Sequence, residues 1–99
     1  MTINEIKGDN SITLAVEGQV DTVTAPDLQR QLLTAFQKSK NIVLDLTNVG
    51  YMSSAGLRAL LLGQKTATSK GGKMTVTNVC DAVMQVFTMS GFAKVLNIK

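Results

Sequence analysis

Residues Ile42-Val43-Leu44-Asp45-Leu46 make a nearly continuous apolar run of strand length. A strand shielded from water on both faces has this composition, whereas a half-exposed strand alternates, so the run is expected at the heart of a sheet with helices packed on it. Upstream, Ile12, Leu14 and Val16 alternate with Ser11, Thr13 and Glu17, and Gly8-Asp9-Asn10 before them reads as a hairpin turn. Two opening strands are therefore predicted, over residues 2–7 and 11–17.

Thr24-Ala25-Pro26-Asp27 has the chemistry of a helix start, with Thr24 as N-cap, proline in the first turn and an acidic group at the positive end of the dipole. Leu28, Leu32, Ala35 and Phe36 follow at helical spacing. Beyond the apolar run, Thr47-Asn48-Val49-Gly50 is turn-like, and a second helix opens around Ser53-Ser54, carries Leu57, Leu60 and Leu61, and ends before Gly71-Gly72. Met74 and Val76 alternate with Lys73, Thr75 and Thr77 in another strand. A third helix is expected from Cys80 to Ser90 on Val79, Val83, Val86 and Phe87, stopped by Gly91, with a short strand near Lys94 to Asn97 closing the chain. Two strands followed by alternating helices and strands predict an α/β fold, a mixed and mostly parallel sheet of four to five strands with an antiparallel start. Ninety-nine residues leave room for one core, so residues 1–99 are expected to form a single domain.

The apolar share of 44% and charged share of 17% belong to an ordinary globular chain. The net charge is +3, but the lysines are scattered along the sequence and only four residues are aromatic, which gives little for base stacking and argues against nucleic-acid binding. No charged start followed by an apolar run opens the chain, and no apolar stretch approaches the ~20 residues of a membrane span, so neither secretion nor membrane insertion is expected. Cys80 is the only cysteine, which excludes an intrachain disulfide and fits a reducing, cytoplasmic compartment, the thiol being buried or half-buried and structural.

With no histidine and one cysteine, Ser-His-Asp and Cys-His catalysis are excluded, as are zinc sites of the usual ligand sets. Cys80 is followed by Asp81-Ala82-Val83-Met84-Gln85-Val86, without the arginine a cysteine-dependent phosphatase needs. Gly71-Gly72-Lys73 leads into a strand rather than a helix, so it is a turn and not a phosphate loop. Asp45 lacks the acidic pair that would accompany a phosphoacceptor aspartate and reads as a carboxylate capping backbone at the sheet rim. No acid/base or nucleophile-base set emerges, so the chain is not expected to be an enzyme and no cofactor or metal is expected.

Tyr51-Met52-Ser53-Ser54-Ala55-Gly56-Leu57-Arg58 sets hydroxyls at a strand-to-helix junction, where free N–H groups and the helix dipole favour an anion. A phosphate on Ser54 is tolerated there and changes the surface by about −1.5 to −2 charges. By residue type alone, a simple helix cap by Ser53 or Ser54 is the stronger reading. Met52, Met84 and Met89 are either core filling, the more frequent role, or adaptable contact residues. Arg58 is equally a partner contact or a solvated arginine.

The strand Val43-Leu44-Asp45-Leu46 followed by Ser53-Ser54-Ala55-Gly56-Leu57 strongly resembles the signature of the STAS family, apolar-Leu-Asp-Leu and then Asp-Ser-Ser/Thr-Gly-Leu, and Gly18-Gln19-Val20-Asp21 resembles the Gly-x-x-Asp segment before the family's first helix. The resemblance covers essentially the whole chain and implies a STAS-like single domain of the anti-sigma factor antagonist type. In that type the phosphoacceptor is the serine after the motif's aspartate, which aligns with Ser54, with Ser53 in the aspartate's place as a minor candidate and Ala55 in place of a second hydroxyl. Asp21, Thr22, Ser53, Gly56 and Arg58 are the implied partner-binding residues around it, Asp21 being equally readable as a turn carboxylate. The implied partners are an anti-sigma factor that is a serine protein kinase of histidine-kinase-like ATPase fold, and a metal-dependent serine phosphatase. The alternative is a STAS subunit that binds the ATP-binding component of a membrane transporter without a phosphoswitch.

Overall fold

The computed structural model describes residues Met1–Lys99. Strands β1 (Thr2–Lys7) and β2 (Ile12–Glu17) form the opening hairpin; α1 (Ala25–Lys38), β3 (Asn41–Asn48), α2 (Ser54–Ser69), β4 (Lys73–Thr77), α3 (Asp81–Ser90) and β5 (Asn97–Ile98) follow. The five strands lie in chain order across one sheet, β1 antiparallel to β2 and all later neighbours parallel. The α/β architecture with an antiparallel start is the one the element order predicts.

Because β2, β3, β4 and β5 are added in one direction without a reversal, crossovers of one hand place every connecting helix on the same face. That face carries Ile12, Leu14, Val16, Ile42, Leu44, Leu46, Met74 and Val76, all buried, against Leu28, Leu32 and Phe36 of α1, Leu57 and Leu60 of α2, and Val83 and Phe87 of α3. Each fully buried Leu or Phe here contributes roughly 1.5–3 kcal/mol relative to exposure. The opposite face presents Thr13, Ala15, Val43, Asp45, Thr75 and Thr77, none of them buried. The expectation that residues 42–46 are covered on both faces is therefore corrected: β3 alternates, and Asp45 and Val43 look away from the core.

Helix α1 buries the stripe Ala25, Leu28, Leu32, Ala35 and Phe36 and carries Pro26 and Asp27 in its first turn and Lys38 in its last. Helix α2 packs through small residues: a Cβ on Gly63 would sit 2.8 Å from Met74 Sδ and 3.2 Å from a Leu32 methyl, so glycine is what lets α2 lie this close to β4 and α1. Leu61, assigned to the apolar stripe from spacing, is only half-buried. Helix α3 ends at Gly91, whose φ of 83° is the left-handed cap a glycine accepts without strain. Residues Phe92–Lys94 form a 3-10 turn, so the closing strand is shorter and later than the spacing predicts.

One further expectation is overturned and another holds only in part. Thr47 and Asn48 continue β3 rather than turn, because Asn48 pairs with Glu17 and Asp45 Oδ1 accepts from the Thr47 N–H (3.0 Å) and hydroxyl (2.6 Å). Thr24 is the N-cap residue of α1, as expected, but makes no side-chain cap, since its hydroxyl is turned back into the loop.

Candidate functional site

The C-terminal ends of β2 and β3 lead into two loops that pair with each other. Gly18 N–H donates to Asn48 O (3.0 Å), Val20 N–H to Tyr51 O (3.0 Å) and Ser53 N–H to Val20 O (2.8 Å), and Val20 and Met52 form an isolated parallel bridge. Val20 and Met52 are buried, so this pairing is dry and holds Asp21 of one loop beside Ser53 of the other. Met52 is thus core, whereas Met89 is 80% exposed on α3.

Gly56 makes this junction possible. A Cβ there would lie 2.7 Å from Val20 Cγ1 and 2.8 Å from Met52 Cγ, so the first turn of α2 seats on the bridge only without a side chain. Buried and lacking a side chain, Gly56 serves the site by position.

Ser53 is the N-cap of α2: its backbone is extended, its Oγ accepts from Gly56 N–H at a long 3.4 Å, and its carbonyl accepts from Leu57 N–H at 3.0 Å. Ser54 is the first helical residue, exposed, and its hydroxyl enters no hydrogen bond within the chain. The first turn of α2 contains no acidic residue, so the positive end of its dipole carries no compensating charge. Arg58, also exposed, stands four residues along, the spacing that stacks side chains on one helix face.

On the other loop, Asp21 closes a turn. Its Oδ1 accepts from Val23 N–H (2.9 Å), Thr24 N–H (3.0 Å) and the Thr24 hydroxyl (3.2 Å), while Thr24 Oγ1 accepts from Asp21 N–H and donates to Gln19 O. The Thr24 N–H first, and then its hydroxyl and the Val23 N–H, hold the Asp21 carboxyl below the usual range against an opposing effect of desolvation. All these donors go to Oδ1, which leaves Oδ2 open. The turn-carboxylate reading of Asp21 is correct, and the open oxygen keeps it available for an outside contact.

Thr22, Ala25, Pro26, Gln29, Ala55 and Arg58 line a shallow groove between the first turns of α1 and α2. Ser53, Ser54, Asp21, Thr22 and Arg58, singled out from the sequence, are thus gathered on one edge of the molecule. Two exposed apolar side chains frame it and were not singled out, Val23 at 84% exposure and Tyr51 at 51%. Their only signal is that an aromatic and a β-branched residue sit in loops that could have been wholly polar. Asp45, as expected, is a rim carboxylate: Thr47 and the Asn78 amide (3.1 Å) bind it, and the Thr47 hydroxyl foremost lowers its pKa. Cys80 is half-buried and donates to Val49 O at 3.5 Å.

No cluster of ligating side chains suited to a metal ion is present, and no helix is long and apolar enough to cross a membrane. A family model described as "Mlab, STAS domain" matches residues 3–97. The chain belongs to the STAS domain family. This STAS domain is 33% identical over 89 residues to an anti-sigma F factor antagonist of Paenibacillus polymyxa, covering 88% of this chain and 76% of that protein. Its fold matches the Bacillus anti-sigma factor antagonist SpoIIAA in unphosphorylated form (TM-score 0.83, 16% identity, 99% of this chain and 88% of that one) and in phosphorylated form (TM-score 0.76, 15% identity, 99% and 91%). It also matches a sulfate transporter family protein of Wolinella succinogenes (TM-score 0.80, 18% identity, 93% and 75%), so the fold is not confined to anti-sigma factor antagonists.

Proposed function

We propose that this STAS domain is a cytoplasmic anti-sigma factor antagonist, a binding module without catalytic activity of its own that is switched by phosphorylation of Ser54. The observation that carries the reading is Ser54 itself: an exposed hydroxyl with no partner, at the uncompensated positive end of α2, on the edge that also presents Asp21, Thr22, Val23, Tyr51 and Arg58. The relative from Paenibacillus, named an anti-sigma factor antagonist, supports the same reading.

The mechanism follows from charge and place. A phosphoryl group on Ser54 Oγ adds about −1.5 to −2 charges at a helix N-terminus, where the dipole and free N–H groups accept an anion, so the fold survives the modification. Arg58, on the same face, can pair with the phosphate and is thereby withdrawn from a partner. The edge that in the unphosphorylated state offers a hydroxyl, a guanidinium and two apolar side chains becomes anionic, and a partner complementary to the first state is repelled by the second. The partner is an anti-sigma factor acting as the serine kinase, of histidine-kinase-like ATPase fold, and a metal-dependent phosphatase reverses the mark. Ser53, whose Oγ is engaged in the cap, is the lesser acceptor.

The test is capture from cytosol by wild type, Ser54→Ala and Ser54→Asp, with retained proteins identified by mass spectrometry. A serine kinase held by wild type and Ser54→Ala and lost from Ser54→Asp is the expected result. Equal retention of a transporter ATPase by all three chains would replace this reading with that of a transporter subunit in which Ser54 has no switching role.

A further inference from the structure

The pole opposite Ser54, where the parallel strands begin and α1 and α2 end, gathers lysines that the sequence scatters. Lys7, Lys38 and Lys40 line a recess beside the β1–β2 turn, and Lys38, Lys40 and Lys70 line a second one next to it. Lys73 joins them, since its N–H donates to Lys40 O at 2.9 Å. Of these five only Lys38 has an ionic partner, Glu5 at 2.7 Å.

The array is held by backbone rather than by chance of side-chain position. Asn10 O accepts from the Asn41 amide (3.3 Å) and the Ser39 hydroxyl (3.5 Å), tying the hairpin turn after Lys7 to the α1–β3 loop. Gly72 presses on Lys40 so closely that a Cβ would meet the Lys40 carbonyl, which locks the turn carrying Lys70 and Lys73 against the same loop. The five lysines face Glu5 and Asp9, a side-chain net of +3, whereas Glu17, Asp21, Asp27, Asp45 and Asp81 against Arg30, Arg58 and Lys99 give −2 at the Ser54 pole. Complementing the ends of α1 and α2 asks for one cation per helix, and the array exceeds that.

The geometry points to this pole as a docking surface for an anionic phospholipid headgroup layer. Protein interfaces are built on a buried apolar centre, and here the exposed large apolar side chains are split between the two edges of the sheet, Ile6 on β1 at one and Met89 and Val95 before β5 at the other, with the lysines between them. No aromatic side chain is exposed at this end for stacking on bases. The cations are all lysine, hydrated point charges that act through their field rather than by forked hydrogen bonds, as suits mobile headgroup phosphates. The opposed charge of the other pole turns the Ser54 edge away from the surface, leaving it free for a partner.

Flotation of the full chain with phosphatidylserine-containing vesicles, and with phosphatidylcholine vesicles as control, tests this. The expected result is partition onto the former only, lost at high salt, lowered about tenfold or more in Lys40→Gln/Lys70→Gln and again in Lys7→Gln/Lys73→Gln, and retained in Ser54→Asp. Circular dichroism and melting of both double variants check that each is folded. Equal partition onto both vesicles, none onto either, or undiminished partition of both folded variants would overturn the proposal. Tighter retention on immobilised poly-glutamate than on the anionic vesicles would assign the pole to an acidic protein and overturn it as well.

Discussion

Adding one methyl group at Gly56 tests whether the junction of α2 with the bridged loops is as close as its geometry implies. In Gly56→Ala the new Cβ would stand 2.7 Å from Val20 Cγ1 and 2.8 Å from Met52 Cγ, both well inside van der Waals contact. Val20 is β-branched, fully buried and pinned on both sides by backbone hydrogen bonds, so it cannot swing away, and Met52 is also buried, at 2% exposure. Overpacking of this kind costs about 1–3 kcal/mol. Alanine in a helix returns roughly 0.5–1 kcal/mol relative to glycine. The net expectation is destabilisation by about 1 kcal/mol, a fall in Tm of roughly 4–8 °C for a domain of this size. Gly50, in the same loop, has nothing within 4 Å of its Cβ position and no positive φ, so Gly50→Ala is the matched control and should be neutral or slightly stabilising. Urea and thermal unfolding of the three chains, with amide chemical shifts of Val20, Met52, Ser53 and Ser54, read the result. A Gly56→Ala chain as stable as wild type, with unmoved shifts at those amides, would refute the close-packed junction.

Ser53→Ala should lose about 0.5–1 kcal/mol, the low end for an N-cap because the bond to Gly56 N–H is long, and an unchanged urea midpoint would show that the cap contributes nothing. Asp21 and Asp45 both have carboxyls lowered by hydrogen bonding in the folded state; the stability this confers is present above the unfolded pKa and is lost as pH falls through the folded one. Unfolding midpoints below about pH 4 should therefore drop more steeply for wild type than for Asp21→Asn/Asp45→Asn, and parallel curves would contradict the assignment.

Much of the fold was legible because each element carries its own signal: alternation in β2 and β4, helical spacing in α1 and α3, a glycine stop at Gly91. What failed depended on partners distant in sequence. An apolar run does not state how many faces are covered; the order in which strands join the sheet does, and only Asp45 within the run hinted at an open face. Thr24 stands at the N-cap position that its residue type and the following proline indicate, yet its Oγ1 accepts from the Asp21 N–H of the loop instead of from a helix N–H. Asn48 was assigned to a turn by composition and captured into β3 by Glu17 of a different strand. At the site, Ser53 as cap and Ser54 beside it followed from residue type and spacing. The Val20–Met52 bridge, and the reason Gly56 must lack a side chain, exist only when two loops meet, and no local pattern encodes that meeting. The lysine array escaped the sequence reading for the same reason, its members lying on three stretches about thirty residues apart.

The identity of strand order with chain order reaches beyond the native state. No strand has to be inserted between two that are already paired, so the hairpin β1–β2 can form first and each later strand adds to an edge left by its predecessor, with its own helix closing behind it. Such a route closes each parallel pair across a single strand–helix–strand unit and leaves only one sheet edge growing at a time, which gives little opportunity for mispaired intermediates. A chain emerging from the ribosome N-terminus first can build this domain in the order in which it is made.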